Sequence, residues 1–374
     1  MSLGTVDWGG YSGGAFRRRS LNVDLPLLIP LLLIASIGLV VLYSAVGQDV
    51  SLVARQGIRY GIGFAAFMVL AQIPPQHLRL WTPWVYFGAL GMLLLVLVSG
   101  EVWQGAQRWI SIGLLSFQPS EVMKLAVPLM IAWFMHDRGL PPRLGHLLIL
   151  AMLTLLPAML IRMQPDLGTA ILVIAAGGLT ILLAGISLRM VALLGGVVLA
   201  SAPVLWYFML DYQRARVLTF LNPESDPLGA GYNIIQARIA IGSGGLFGKG
   251  WLNGTQAQLE FLPERSTDFI FAVMAEEFGL MGILALLVLY LTLVGRGLYI
   301  AAQAQETFTR LVAGALSLTF FFYVFVNAAM VSGLMPVVGV PLPLVSAGGS
   351  SMVTLLAGFG ILAAIGGHRK LLAP

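Results

Sequence analysis

Pro26-Leu27-Leu28-Ile29-Pro30-Leu31-Leu32-Leu33-Ile34-Ala35-Ser36-Ile37-Gly38-Leu39-Val40-Val41-Leu42-Tyr43-Ser44-Ala45-Val46 contains no Asp, Glu, Lys or Arg. A helix over this run, at about 1.5 Å per residue, reaches roughly 31 Å and matches the hydrocarbon core of a bilayer. Comparable apolar runs recur at 56–73, 80–98, 118–135, 145–161, 166–186, 188–210, 268–294, 309–332 and 348–366. The pattern predicts an all-α integral membrane protein with about ten transmembrane helices. Composition agrees. Of 374 residues, 58% are hydrophobic and 10% charged, against roughly 25% charged in soluble domains, and the mean hydropathy is +0.91. The absence of cysteine excludes disulfides, thiolate nucleophiles and Cys-based metal sites.

The excess of Lys and Arg over Asp and Glu gives a net charge of +5. In a soluble protein that would suggest nucleic acid; in a membrane protein it sets orientation. With ten spans, Arg17, Arg18, Arg19, Arg79, Arg138, Arg143, Arg189, Arg296, Arg310, Arg369 and Lys370 fall on one face. Arg55, Arg59, Arg108, Lys124 and Arg162 fall on the other. The first face is therefore expected to be cytoplasmic, with both termini inside. The chain then divides into an N-terminal cytoplasmic segment 1–25, one membrane domain 26–370 and a tail 371–374. Residues 211–267 form a large extracytoplasmic loop between helices 7 and 8. Arg17-Arg18-Arg19 precedes a run with no small-residue cleavage site, which reads as an uncleaved anchor rather than an export signal.

All four histidines, His77, His136, His146 and His368, fall on the cytoplasmic side of this topology. Chemistry on the outer face must then use carboxylates, Lys, Arg, hydroxyls or metal ions. Glu121 and Lys124 are three apart and can pair on one helix face. An ammonium one turn into a span needs a partner or a cavity. Asp166 follows Gln164-Pro165 and suits a helix start. The loop 211–267 mixes Arg214, Arg216, Arg238, Lys249 and Arg265 with Asp211, Glu224, Asp226, Glu260 and Glu264. Its Tyr232, Ile234, Trp251 and Phe261 favour packing onto the membrane domain. The run Gly242-Ser243-Gly244-Gly245-Leu246-Phe247-Gly248-Lys249-Gly250 fails the P-loop pattern, since Gly250 stands where Ser or Thr is required. Asp268 opens a span that also holds Glu276 and Glu277. Such acids are costly unless they line a polar cavity or meet cations. A carboxylate at a cavity mouth with basic neighbours suits general-base work.

Gln107-Arg108-Trp109-Ile110 with Gln118-Pro119-Ser120-Glu121 resembles a signature of the shape, elongation, division and sporulation (SEDS) family. The resemblance continues through Gln164-Pro165-Asp166-Leu167-Gly168-Thr169, Asn222-Pro223, Gly231-Tyr232 and the Gly242–Gly250 run. Thr267-Asp268-Phe269-Ile270-Phe271, Glu276-Glu277-Phe278-Gly279 and Pro341-Leu342-Pro343-Leu344 complete it. Asp211-Tyr212-Gln213-Arg214 and the segment that follows look like the cell-elongation branch rather than the division paralogue. Ala347 stands where the family usually has Tyr.

The resemblance implies a bacterial peptidoglycan glycosyltransferase of the inner membrane, polymerising lipid II on the outer face. By position, Asp268 is the essential carboxylate and the expected base. Glu121 and Lys124 match polar cavity residues. Arg108, Asp166, Arg214, Arg216, Lys249, Glu264 and Arg265 are the further substrate-binding candidates. Mg²⁺ or Mn²⁺ is a candidate for sharing diphosphate charge, although the sequence has no metal-ligand motif. No organic cofactor is expected. The implied partner is a class B penicillin-binding protein transpeptidase. The competing readings are a lipid-precursor flippase and a non-catalytic scaffold that activates a partner synthase.

Overall fold

The computed structural model describes residues 23–103, 106–112, 115–209, 211–225, 231–259 and 261–368. The termini, with Arg17-Arg18-Arg19, Arg369, Lys370 and the expected tail 371–374, lie outside the described residues, as do Asp226 and Glu260. The chain forms helices α1 (Leu25–Ala45), α2 (Val50–Ala71) and α3 (Pro75–Ser99), then α4 (Pro119–Met135), α5 (Leu144–Met163) and α6 (Leu167–Leu183). They are followed by α7 (Leu188–Ala200), α8 (Ala202–Tyr207), α9 (Asp211–Leu221), α10 (Tyr232–Gly244) and α11 (Thr255–Gln258). The long α12 (Ile270–Gln303), α13 (Thr307–Val331) and α14 (Ser350–Gly367) close the chain. Each of the ten apolar runs is helical, with 188–210 divided at Ser201. Six of the helices, α1, α3, α5, α12, α13 and α14, are long and apolar enough to cross a membrane by length and composition.

Local chemistry explains the helix starts. Asp24 accepts from the Leu27 N–H at 3.2 Å, Asp49 from Ser51 at 2.8 Å and Ser187 from Met190 at 3.3 Å. Each bond satisfies a donor that the first turn cannot pair internally. Pro119 begins α4, where its missing N–H costs nothing.

Helices α4, α13 and α14 form the centre and are buried along most of their length. Around them α2 packs on α14, α12 on α13, and α6 on both α4 and α13. The outer faces carry exposed Leu148, Met152 and Met159 on α5. Those faces suit acyl chains, which are as apolar as the side chains themselves.

The all-α reading omitted one feature. Between α3 and α4 lies a three-stranded antiparallel ribbon, β1 (Glu101–Trp103), β2 (Ala106–Ile112) and β3 (Leu115–Phe117). Trp103 pairs with Ala106 and Ile112 with Leu115. Its strands are only three to seven residues long, too short for an alternating pattern to stand out between two apolar helices.

The 34 residues of α12 would extend about 51 Å as one straight helix, well beyond a bilayer core. A break at Gly279, with φ +66° and ψ −164°, divides it. The segment Gly244–Gly250 docks into this break. Lys249 N–H donates to the Glu276 carbonyl and Gly250 N–H to that of Glu277, both at 3.0 Å. Leu280 and Met281 N–H groups donate back to Gly245 and Leu246. A Cβ on Gly248 would overlap the Glu277 carbonyl. The glycines of this run therefore serve close backbone approach. Gly248→Ala should destabilise the folded protein by about 1–3 kcal/mol, the usual cost of overpacking, read as earlier thermal unfolding in detergent.

Residues 332–349 connect α13 to α14 without regular structure, yet Val340, Leu342, Leu344, Val345 and Ser346 are buried. Irregular backbone between spans is tolerable only if its polar groups are paired inside the protein. Tyr60 donates to the Leu344 carbonyl at 2.5 Å and Tyr290 to that of Pro343 at 2.6 Å. Gln56 donates to the Ser346 carbonyl at 3.1 Å and Asn327 to that of Val340 at 2.7 Å.

Candidate active site

Asp268 lies in the turn 263–269, directly ahead of α12. It is not a helix cap: the residue at that position is Phe269, and no side chain caps this end. Burial raises the Asp268 carboxyl from 3.8 to about 6. The nearby Glu264 charge pushes it the same way, Arg216 opposes, and Asp166 adds to the rise. The fold thus brings Arg216, Glu264 and Asp166, far apart in sequence, into electrostatic reach of Asp268. Glu264 also anchors the turn. Its carboxylate accepts from Thr267 Oγ1 at 2.6 Å and its carbonyl accepts from the Phe269 N–H at 3.1 Å.

Asp166 caps α6 through the Thr169 N–H at 3.1 Å and accepts from Gln118 Nε2 at 2.9 Å. Both Gln-Pro motifs therefore meet at one corner. Arg108, carried on β2, donates to the carbonyls of Gln164, at 3.2 Å, and Pro165 of that corner.

Deeper in the bundle, Lys124 Nζ lies 2.6 Å from Glu121, with both side chains 6% exposed. Lys124 also donates to the Tyr323 hydroxyl at 2.5 Å and sits 4.5 Å from the centre of its ring. This group opens on a cavity of about 440 Å³ lined by Glu121, Lys124, Thr319, Tyr323 and Thr354, with apolar walls that include Phe320 and Phe359. Asp268 is not in its lining. Tyr323 lines this cavity and also a smaller one beside Pro341, Leu342, Pro343, Leu344 and Ser346.

The remaining loop cations are engaged by the protein. Arg214 donates to the Trp206 and Tyr207 carbonyls at 3.1 and 2.6 Å, and Arg265 donates to the Ala45 carbonyl at 2.7 Å. Lys249 lies 2.6 Å from Glu276, which is fully buried and also accepts from Thr255 Oγ1 at 3.0 Å and the Gln256 N–H at 3.2 Å. Glu277 accepts from Ser44 of α1. Glu276 therefore ties the 249–256 segment to α12, and Glu277 ties α12 to α1.

Tyr323, Asn327 and Ser346, which the fold brings to this site, are not among the residues that the sequence marks. A buried amide or phenol inside an apolar run carries the same message as a charge, because each must find a partner. Among the described residues no group of three or more His, Cys, Asp and Glu side chains could hold a metal ion.

The fold and the site define a polytopic membrane protein with a half-buried carboxyl in the turn ahead of α12 and a charged cavity within the helix bundle. Residues 20–371 match the model of the FtsW/RodA/SpoVE cell cycle protein family, and the chain belongs to this family, the SEDS glycosyltransferases. It is 52% identical over 353 residues to the peptidoglycan glycosyltransferase MrdB of Escherichia coli (strain K12), covering 94% of this chain and 95% of that protein. A solved chain from a peptidoglycan synthase complex, in which polymerization and crosslinking are structurally coordinated, superposes with a TM-score of 0.82 at 33% identity. That match covers 93% of this chain and 99% of the other. The rod shape determining protein RodA of Thermus thermophilus matches with a TM-score of 0.70 at 31% identity, over 93% of this chain and 98% of that one.

Proposed function

We propose that the chain polymerises lipid II into glycan strands, with Asp268 as the general base. The observation that carries this reading is a half-buried carboxyl, raised to about 6, within electrostatic reach of Arg216 and of Asp166 at the Gln-Pro corner. The 4-hydroxyl of an acceptor GlcNAc attacks the anomeric carbon of a donor MurNAc. The new C–O bond forms as the bond to undecaprenyl pyrophosphate breaks, inverting an α-linked donor to a β-linked product. The hydroxyl proton passes to Asp268, and the departing diphosphate takes the negative charge. Arg216, Arg108 and Lys124 are the candidate cations to oppose that charge. Diphosphate leaves readily, so no protein acid is required. The described residues offer no cluster of three or more acidic or histidine side chains for Mg²⁺ or Mn²⁺.

The charge distribution supports both termini in the cytoplasm and the Asp268 turn on the outer face. Arg296 pairs with Asp24 at 2.8 Å at the start of α1, while Arg265 holds the far end of the same helix. The similarity to a chain from a complex that coordinates polymerization with crosslinking supports a class B penicillin-binding protein as partner.

The test is glycan synthesis from purified lipid II by the chain in proteoliposomes. Wild type is expected to form polymer alone and Asp268→Ala to form none, with expression unchanged. Lipid II translocation without polymer would instead identify a flippase. Polymer that appears only after a partner synthase is added would identify a scaffold.

A further inference from the structure

Three consecutive carbonyls of the Asp268 turn are held from outside it. The Ser266 carbonyl accepts from the Ala347 N–H at 2.8 Å, that of Thr267 from Ser346 Oγ at 2.6 Å, and that of Asp268 itself from Asn327 Nδ2 at 2.9 Å. Neither side chain has slack. Ser346 Oγ also accepts from the Leu342 N–H at 2.7 Å, and the second Asn327 hydrogen goes to the Val340 carbonyl at 2.7 Å. Asn327 is fully buried and Ser346 is 4% exposed. The amide orientation is fixed, because a flipped Asn327 would set its oxygen against two carbonyl oxygens.

We infer that Asn327 and Ser346 are positioning residues that fix where the Asp268 carboxylate points. This rests on the general-base reading above. Asp268 sits in a turn rather than a helix, so beyond the Glu264 bonds no internal ladder sets its backbone. The borrowed bonds to α13 and to the 332–349 segment complete the hold. Asn327 also lies four residues from Tyr323 on one face of α13, about 6 Å along the axis. Through Tyr323 the same face holds Lys124. Helix α13 thus acts as a ruler that sets the distance between the proton acceptor and the intramembrane cation. Ala347 fits this arrangement, since its contribution is its N–H and not its side chain.

A misplacement of roughly 1 Å costs about 10²-fold in rate. Ser346→Ala is therefore expected to lower kcat for lipid II polymerisation by about that factor, with KM close to wild type and Tm lowered by a few degrees at most, since two buried groups lose a partner. Its acid limb in the pH–rate profile should move below wild type, because a released turn lets water reach Asp268. Ser346→Thr, which keeps the hydroxyl, should recover most of the rate. Asn327→Asp, which replaces the donor with an acid, should lose activity in the same manner. If Asn327→Asp does not fold, the Ser346 pair decides the matter. Wild-type kcat in Ser346→Ala overturns the inference. So does a lowered kcat with the acid limb unmoved, which would mark a purely structural bond. Failure of the base reading is separately visible, since Asp268→Ala would then retain polymerisation.

Discussion

Asp268→Asn is expected to lose polymerisation by about 10²–10⁴-fold, the usual contribution of a positioned base, while unfolding no earlier than wild type at pH 7. The two halves of this result come from one property. The folded protein raises the Asp268 carboxyl from 3.8 to about 6, chiefly by burying it. A carboxyl raised on folding stabilises fully below its unfolded pKa, and that contribution is lost as the pH climbs through about 6. At pH 7 the ionised side chain is a net cost to the fold. A neutral amide of the same shape removes this cost together with the proton acceptor. Activity is read as glycan product and stability as thermal unfolding in detergent. A variant that melts well below wild type would mark Asp268 as a structural ion partner instead.

Lys124→Ala is expected to be damaging in both respects. It leaves Glu121 without its cation in a setting where both side chains are 6% exposed. Removing one partner of a buried pair costs about 3–5 kcal/mol, because the other charge stays desolvated. The double replacement Glu121→Gln with Lys124→Met removes both charges at similar volume and should recover most of that stability. Polymerisation should not return with it, since the cavity would then lack the ammonium that opposes the diphosphate. Thermal unfolding of the single and double variants, with glycan synthesis measured on both, separates the two effects. Recovered synthesis in the double variant would show that the pair serves packing alone.

The helical spans were readable from residue chemistry because the bilayer imposes a simple rule: a long apolar run must pair its backbone within itself. Pro165-Asp166 marked a helix start for an equally local reason. Glu121, Lys124 and Asp268 stood out because ionised groups are rare and costly in such a chain. The parts that escaped this reading depend on distant partners. Gly279 is an unremarkable residue in sequence, and its break in α12 has meaning only when the 244–250 segment docks there. Ser346 and Asn327 are uncharged, and their importance is visible only once the Thr267–Asp268 carbonyls lie against them. Lys249 and Arg265 looked like substrate cations in an outer loop. In the folded chain Lys249 meets a buried Glu276 and Arg265 a main-chain carbonyl. Sequence shows that a charge exists, whereas folding decides whether it faces the ligand or the protein.

The dependence of kcat/KM on pH, measured for wild-type protein at limiting lipid II, is the most direct test that Asp268 takes the proton, because it reports ionisations of the free protein. Only the ionised carboxylate can do so, and with its pKa at about 6 the rate should rise through a single ionisation and reach half its plateau near that pH. A rate that stays level from about pH 5 to 7.5 would contradict the assignment.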